Sequence, residues 1–190
     1  MRKGIVSVLM IPLLLLGGCG EREAKLEKGF SSFRESLVAA ESVTARADLT
    51  ADYGGTVADY VLDVAYDGRS TRVTVVEPEI ISGVTAEARW GETTIAYDGV
   101  MLGAGALDED GLTPVSAIPA ALAAMAGGYV ELLWWDGEAI AARLYVSETA
   151  RCTVWLDAAT LAPTAAEISS NGRRVVTCAF ADWTLTPGAA

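Results

Sequence analysis

The sequence predicts a mainly β fold of the α+β class. The expected architecture is a curled antiparallel sheet, or unclosed β-barrel, of about ten strands, with an N-terminal helix and a mid-chain helix plugging its concave face. Three observations carry this. Apolar and polar residues alternate with period two over most of the chain. Gly-Gly, Asp-Gly and Asn-Gly pairs punctuate these runs at hairpin spacing. Only two stretches switch to a helical period. At 190 residues and 52% hydrophobic, the chain suits one domain with a sizeable core.

The N-terminus reads as a targeting segment. Arg2 and Lys3 precede an apolar run from Ile5 to Leu16. That run is about a dozen residues, whereas a spanning helix needs roughly 20, so it fits a signal-peptide h-region. Leu16-Gly17-Gly18-Cys19 follows and resembles the bacterial lipobox, which implies cleavage before Cys19 and diacylglycerol on its sulfur. Two acyl chains give stable anchoring where one gives marginal binding. Cleavage would remove two of the fourteen cations, so the formal charge moves from −11 to −13. The expected division is a signal peptide over 1–18, a lipidated tether over 19–28, one domain over 29–186 and a frayed tail over 187–190.

Leu26, Phe30, Phe33, Leu37 and Ala40 recur at helical spacing, giving one apolar stripe that runs to about Ser42. From Thr44 the period becomes two, with Ala45, Ala47, Leu49 and Ala51 against Arg46, Asp48, Thr50 and Asp52. Gly54-Gly55 turns the chain into a second strand ending at Tyr66, and Asp67-Gly68 turns it into a third ending before Pro78. Val84–Trp90, Thr93–Tyr97 and a short run at Val100–Leu102 follow. A helix is expected from Val115 to Met125, capped by Thr113 or Ser116 and ended by Gly127-Gly128. Pro119 fits its first turn if Ser116 is the cap. Strands are then expected at Tyr129–Trp135, Ala139–Ser147, Arg151–Asp157, Pro163–Ser170 and Arg173–Thr184, the last two joined by the hairpin pair Asn171-Gly172.

Composition excludes several chemistries. The chain has no histidine, which removes Ser-His-Asp and Cys-His nucleophiles, the HExxH motif and His-ligated zinc. An excess of 25 acids over 14 bases argues against nucleic acid, because binding phosphates needs clustered cations. Asp59, Asp63 and Asp67 share one strand face; they alternate with apolar residues and read as a solvated face rather than a catalytic pair. Asp108-Glu109-Asp110 lacks the spacing of a calcium loop. No catalytic residue, metal or cofactor is expected. Cys152 and Cys178 should stand on strands two apart, roughly 10 Å from each other. A disulfide needs Cα atoms within about 7 Å, so two buried thiols are expected.

Three stretches together resemble the LolA/LolB family of lipoprotein carriers, and more closely its germination lipoprotein GerS branch. They are Phe33-Arg34-Glu35-Ser36-Leu37 running into Ser42-Val43-Thr44-Ala45; Arg72 to Pro78 with Ile80 to Val84; and Val154-Trp155-Leu156-Asp157 with Asn171-Gly172-Arg173-Arg174-Val175-Val176 and Phe180-Ala181-Asp182-Trp183. The resemblance implies an unclosed barrel lidded by helices around an apolar cavity. In carriers that cavity takes the acyl chains of lipoproteins. In the GerS branch the implied role is a membrane-anchored, non-catalytic partner in spore germination that supports cortex peptidoglycan breakdown. LolA is not lipid-anchored, so Cys19 moves the chain toward the LolB and GerS types.

The candidate cavity or lid residues are Phe30, Phe33 and Leu37 from the first helix, Ile118, Leu122 and Met125 from the second, and Trp134, Trp135 and Trp155. Trp134 and Trp135 are adjacent on a strand, so one faces the interior and the other faces out. Each tryptophan reads either as a ligand or partner contact or as ordinary core and surface. The second helix reads either as a movable lid between glycine hinges or as a fixed plug. The expected function is an exported lipoprotein, lipid-anchored on the extracytoplasmic face of the cell membrane. It binds an acyl chain or a lipoprotein, or else acts as an adaptor for a cell-wall-modifying protein.

Overall fold

The computed structural model describes residues 18–89, 92–105 and 112–188, with side chains at 18, 19, 104 and 105 outside that description. The signal peptide, the sulfur of Cys19, Trp90 and the acidic triplet Asp108-Glu109-Asp110 therefore lie outside the described residues.

Helix α1 spans Gly18–Val38 and buries the expected stripe, with Leu26, Phe30, Phe33 and Leu37 all on one side. It begins at Gly18, so residues 20–28, the expected tether that merges into the helix, are themselves helical. It ends earlier than expected, at Val38 rather than near Ser42. The physical reason is strand pairing: β1 (Ala40–Asp52) already pairs at Ala40 with Pro187 and at Ser42 with Thr186. Gly188 N–H donates to the Ala39 carbonyl at 2.9 Å, so the expected tail is tied down at 187–188.

Ten further strands complete one sheet: β2 (Val57–Tyr66), β3 (Ser70–Glu77), β4 (Thr85–Arg89), β5 (Glu92–Tyr97), β6 (Val100–Gly105), β7 (Val130–Asp136), β8 (Ala139–Tyr145), β9 (Ala150–Asp157), β10 (Pro163–Ser170) and β11 (Arg173–Pro187). The order is β6-β5-β4-β3-β2-β1-β11-β10-β9-β8-β7, antiparallel at every junction and not closed. The two longest strands, β1 and β11, lie side by side at the centre. The chain thus meanders from the centre to the β6 edge, crosses to the β7 edge, and meanders back. Helix α2 (Pro114–Gly127) is the crossing, which is why it lies over the concave face.

Local chemistry sets these elements. Asp98-Gly99 and Asn171-Gly172 have φ values of 48° and 78°, and 51° and 77°. Positive φ at both central residues is the mirror-image turn that suits strand twist. Thr113 caps α2: its side chain accepts from the Ser116 N–H, and Ser116 reciprocates, a capping box. Pro119 therefore sits inside the helix rather than in its first turn, because Thr113 and not Ser116 is the cap.

The inward residues of β1 are Val43, Ala45, Ala47, Leu49 and Ala51, all buried. Small side chains here leave room for the helices. Both helices pack into a continuous apolar cluster with the inward faces of the sheet. Cys152 on β9 and Cys178 on β11 are free and buried, with β10 between them, the two-strand separation that the meander required.

Candidate functional site

The six helical candidates converge on one place. Phe30, Phe33 and Leu37 of α1 and Ile118, Leu122 and Met125 of α2 are between 0% and 4% exposed, in the same cluster as Val43, Leu49, Val73 and Leu156. The Phe30 and Phe33 rings stand 6.2 Å apart, tilted at 47°. These side chains occupy the concave side.

Arg34 joins the two helices. Its Nε donates to the Met125 carbonyl at 2.9 Å, and its Nη2 to the carbonyls of Gly128 at 2.9 Å and Ala124 at 3.3 Å. The guanidinium lies 5.0 Å from the Phe30 ring. The last turn of a helix leaves carbonyls without intrahelical donors and carries partial negative charge. Arg34 meets both needs, and burial lowers its pKa from the ordinary guanidinium value. Sequence reading misses this role, because an arginine beside an apolar stripe looks like a surface residue.

The tryptophans divide as adjacency on a strand requires. Trp135 faces the concave side and packs on the core; its Nε1 donates to the Arg22 carbonyl at 3.2 Å, under the Arg22 guanidinium. Trp134 faces the convex side, with the Arg143 guanidinium 5.9 Å from its ring. Trp155 is not on the concave side: Val154 and Leu156 beside it point into the core, so it points out. Trp134, Ala141 and Trp155 stand opposite one another on β7, β8 and β9, and the two indoles flank a fully buried Ala141. Trp155 Nε1 donates to Asp136 at 2.8 Å.

Trp155 also walls a convex groove of about 650 Å³, lined by Asp48, Thr50, Asp59, Glu77 and Glu167 among others. Its acids have separate local tasks. Asp59 accepts from the Thr50 hydroxyl at 2.6 Å, and Glu167 pairs with Arg174 at 3.0 Å. Outside the groove, Asp63 pairs with Arg46 at 3.1 Å, and Asp67 caps the turn at Ser70. Asp59, Asp63 and Asp67 are thus a solvated face. Among the described residues no group of three acids or cysteines could hold a metal ion, and no helix is long and apolar enough to cross a membrane.

The two sheet edges differ. On β7, Glu131 forms an ion pair with Arg151 at 2.6 Å, a register shift separates Val130 from Leu132, and α1 packs alongside. Charge, a bulge and a covering helix are the usual protections of an edge. On β6, Val100, Met101 and Leu102 are 61%, 71% and 64% exposed.

No protein-family model matches the chain, and no curated protein matches it. Solved structures do. An uncharacterized conserved protein from Thermus thermophilus is 10% identical, with 86% of this chain and 89% of that one covered, at a TM-score of 0.51. At that identity the likeness is one of fold. A LolA superfamily protein from Nitrosomonas europaea is 11% identical over 84% of this chain and 94% of its own, with a TM-score of 0.47. A chain of the complex of the CwlD amidase with the GerS lipoprotein from Clostridioides difficile is 11% identical over 83% and 94%, with a TM-score of 0.46.

Proposed function

We propose that this protein is an exported lipoprotein, anchored through Cys19 on the extracytoplasmic face of the cell membrane, that acts without catalysis by holding a protein partner. One observation carries the reading. The concave side, where a carrier would keep its acyl chain, is filled by Phe30, Phe33, Leu37, Ile118, Leu122 and Met125. Among the described residues these side chains form one close-packed cluster, which supports a filled interior that a ligand could enter only by displacing a helix. Arg34 holds α2 in place through three carbonyls. The resemblance in sequence points to a cell-wall-modifying protein as the partner class.

The carrier reading requires α2 to lift off, and a lipid probe separates the two. Delipidated protein titrated with a fluorescent fatty acid should show no saturable uptake. Stoichiometric uptake would replace the adaptor with a carrier. Anchoring is tested separately by metabolic labelling with an alkynyl palmitate in the native host, where Cys19→Ser should abolish label and membrane association together.

A further inference from the structure

The convex groove walled by Trp155 follows a continuous row across the sheet. Trp155, Ala165, Ala179, Asp48, Val61 and Glu77 stand opposite one another on β9, β10, β11, β1, β2 and β3. The next row along the strands runs Glu167, Thr177, Thr50 and Asp59. Ala165 and Ala179 carry only methyl groups, so the middle of the first row is a trough between an indole and Val61. Both helices pack on the other side of the sheet. The turns that join β1 to β2, β2 to β3, β9 to β10 and β10 to β11 all lie within the described residues.

Charge and an indole point to the occupant. The groove is lined by four carboxylates, Asp48, Asp59, Glu77 and Glu167, and by no lysine or arginine. Two neighbouring cations are already paired, Arg174 with Glu167 and Arg46 with Asp63 in the row beyond. The Asp48 and Glu77 side chains, both exposed, make no hydrogen bond or ion pair among the described residues. The tryptophans give an independent sign. Trp134 and Trp135 each have a guanidinium over the ring, Arg143 at 5.9 Å and Arg22 at 5.7 Å. Trp155 shares the convex face with Trp134 and is fixed by its bond to Asp136, yet no cation of the described residues covers it. From Trp155 to Glu77 the row crosses five strand spacings, roughly 24 Å. A lone ion cannot meet its length, whereas an extended segment with spaced cations can.

We propose that this groove is the docking site for an extended, arginine-bearing segment of the protein partner. One arginine stacks on Trp155 beside the Asp48 carboxylate, and a second, about four residues further on, pairs with Glu77. Arginine suits the groove better than lysine, because its planar fork stacks on an indole and binds carboxylates bidentately. The proposal rests on the adaptor reading and gives the partner its place. Failure of the two is distinguishable, because fatty-acid uptake reports on the concave side and arginine binding on the convex one.

The probe is the blocked peptide Gly-Arg-Thr-Ala-Thr-Arg-Gly, whose arginines stand about 13 Å apart when extended. It is compared with the same peptide carrying neutral citrulline in place of both arginines. Binding to the delipidated protein is followed by calorimetry and by NMR shifts of the Trp155 indole N–H and the Thr50, Ala165 and Ala179 amides. The arginine peptide should move these signals and bind about tenfold or more tightly than the citrulline peptide, with the difference shrinking in high salt. The double variant Asp48→Asn, Glu77→Gln keeps the shape of two exposed side chains and removes their charge, so folding should survive while the preference for arginine over citrulline is lost. Trp155→Leu should weaken arginine binding independently of these two. Equal binding of both peptides, shifts centred elsewhere, or no response at millimolar peptide would overturn the proposal. So would spermidine binding as tightly as the arginine peptide, since the groove would then take a free polyamine rather than a protein segment.

Discussion

The Arg34 guanidinium on α1 donates to the Met125 carbonyl at the end of α2, 2.9 Å away, across 91 positions of sequence. This contact and its companions to Ala124 and Gly128 close the C-terminus of α2, which has no basic residue in its own last turn. The element that links the two sheet edges is therefore fastened from the other helix. Arg34→Met keeps the apolar stem and removes the donors. It should cost about 1–3 kcal/mol, because charge-assisted bonds are lost and carbonyls are left unpaired. Arg34→Lys should recover only part of this, since an ammonium cannot fork across three carbonyls. Urea denaturation measures the loss, and faster amide exchange in the last turn of α2 locates it.

The same junction makes two neighbouring glycines unequal. A Cβ on Gly128 would stand 2.7 Å from the Ala124 carbonyl oxygen and 3.1 Å from that of Tyr145, both backbone atoms with little freedom to move. A Cβ on Gly127 would meet nothing within 4 Å. Gly128→Ala should destabilise by about 1–3 kcal/mol. Gly127→Ala should be neutral or stabilise by up to about 1 kcal/mol through the unfolded chain. Thermal unfolding of the two variants side by side should lower the midpoint for Gly128→Ala and leave it unchanged or raised for Gly127→Ala.

The elements are legible in the sequence, but the pairing at the centre of the sheet is not. Phe30, Phe33 and Leu37 announce a helix face, and Ala45, Ala47 and Leu49 announce a strand, because both signals are local periodicities. That β1 lies beside β11 has no local signal; the Ala47–Phe180 register joins residues 133 positions apart. The early end of α1 follows from that long-range pairing, so it is hidden too. Arg34 is hidden for a related reason: its partners are backbone carbonyls of a distant helix, and carbonyls leave no trace in sequence. Trp155 is misplaced when judged by residue type, whereas the alternation of Val154 and Leu156 around it already sets its direction.

Burial pushes the thiols of Cys152 and Cys178 up from about 9 to about 12. A thiol whose pKa is raised on folding keeps its proton in the native state while the unfolded chain loses it. This contribution is intact below about pH 9 and declines as pH rises toward 12, by up to about 1.4 kcal/mol per unit per thiol. Between pH 8 and pH 10.5 the wild type should lose more stability than Cys152→Ala, Cys178→Ala. Neither thiol should react with a disulfide reagent in the folded protein at pH 8, and both should react at once in denaturant.

Two turn carboxylates move the other way. Asp157 accepts from the Thr160 and Ala159 N–H groups at 2.7 Å and 3.0 Å, and Asp67 from the Ser70 and Arg69 N–H groups at 2.7 Å and 2.9 Å. These donors hold both carboxyls below the ordinary aspartate value. With the folded pKa lowered, their support is present above the unfolded aspartate pKa and is lost as pH falls through the folded one. Carboxyl-carbon NMR titration should find both Asp67 and Asp157 ionising below the ordinary aspartate value, each signal identified by its loss in Asp67→Asn or Asp157→Asn. Asp157→Asn should blunt the acid sensitivity of the β9–β10 turn.

Trp135 pins the start of α1 to the sheet. Its Nε1 donates to the Arg22 carbonyl, and the Arg22 guanidinium covers its ring at 5.7 Å. Only three positions separate Arg22 from Cys19, so a lipid there would leave the domain a short, stiff attachment in place of a flexible tether. Residues 20–25 are all exposed and Leu26 is the first buried side chain among the described ones, so the order of this stretch rests on this indole. Trp135→Ala should release it while the Phe30–Leu37 segment stays docked. Limited trypsin digestion should then cut after Arg22 and Lys25 many times faster than in the wild type, with the midpoint of global unfolding nearly unchanged. Unchanged cleavage would mean that the helix start is held by its own hydrogen bonds, and that the stiffness of the attachment does not depend on the sheet.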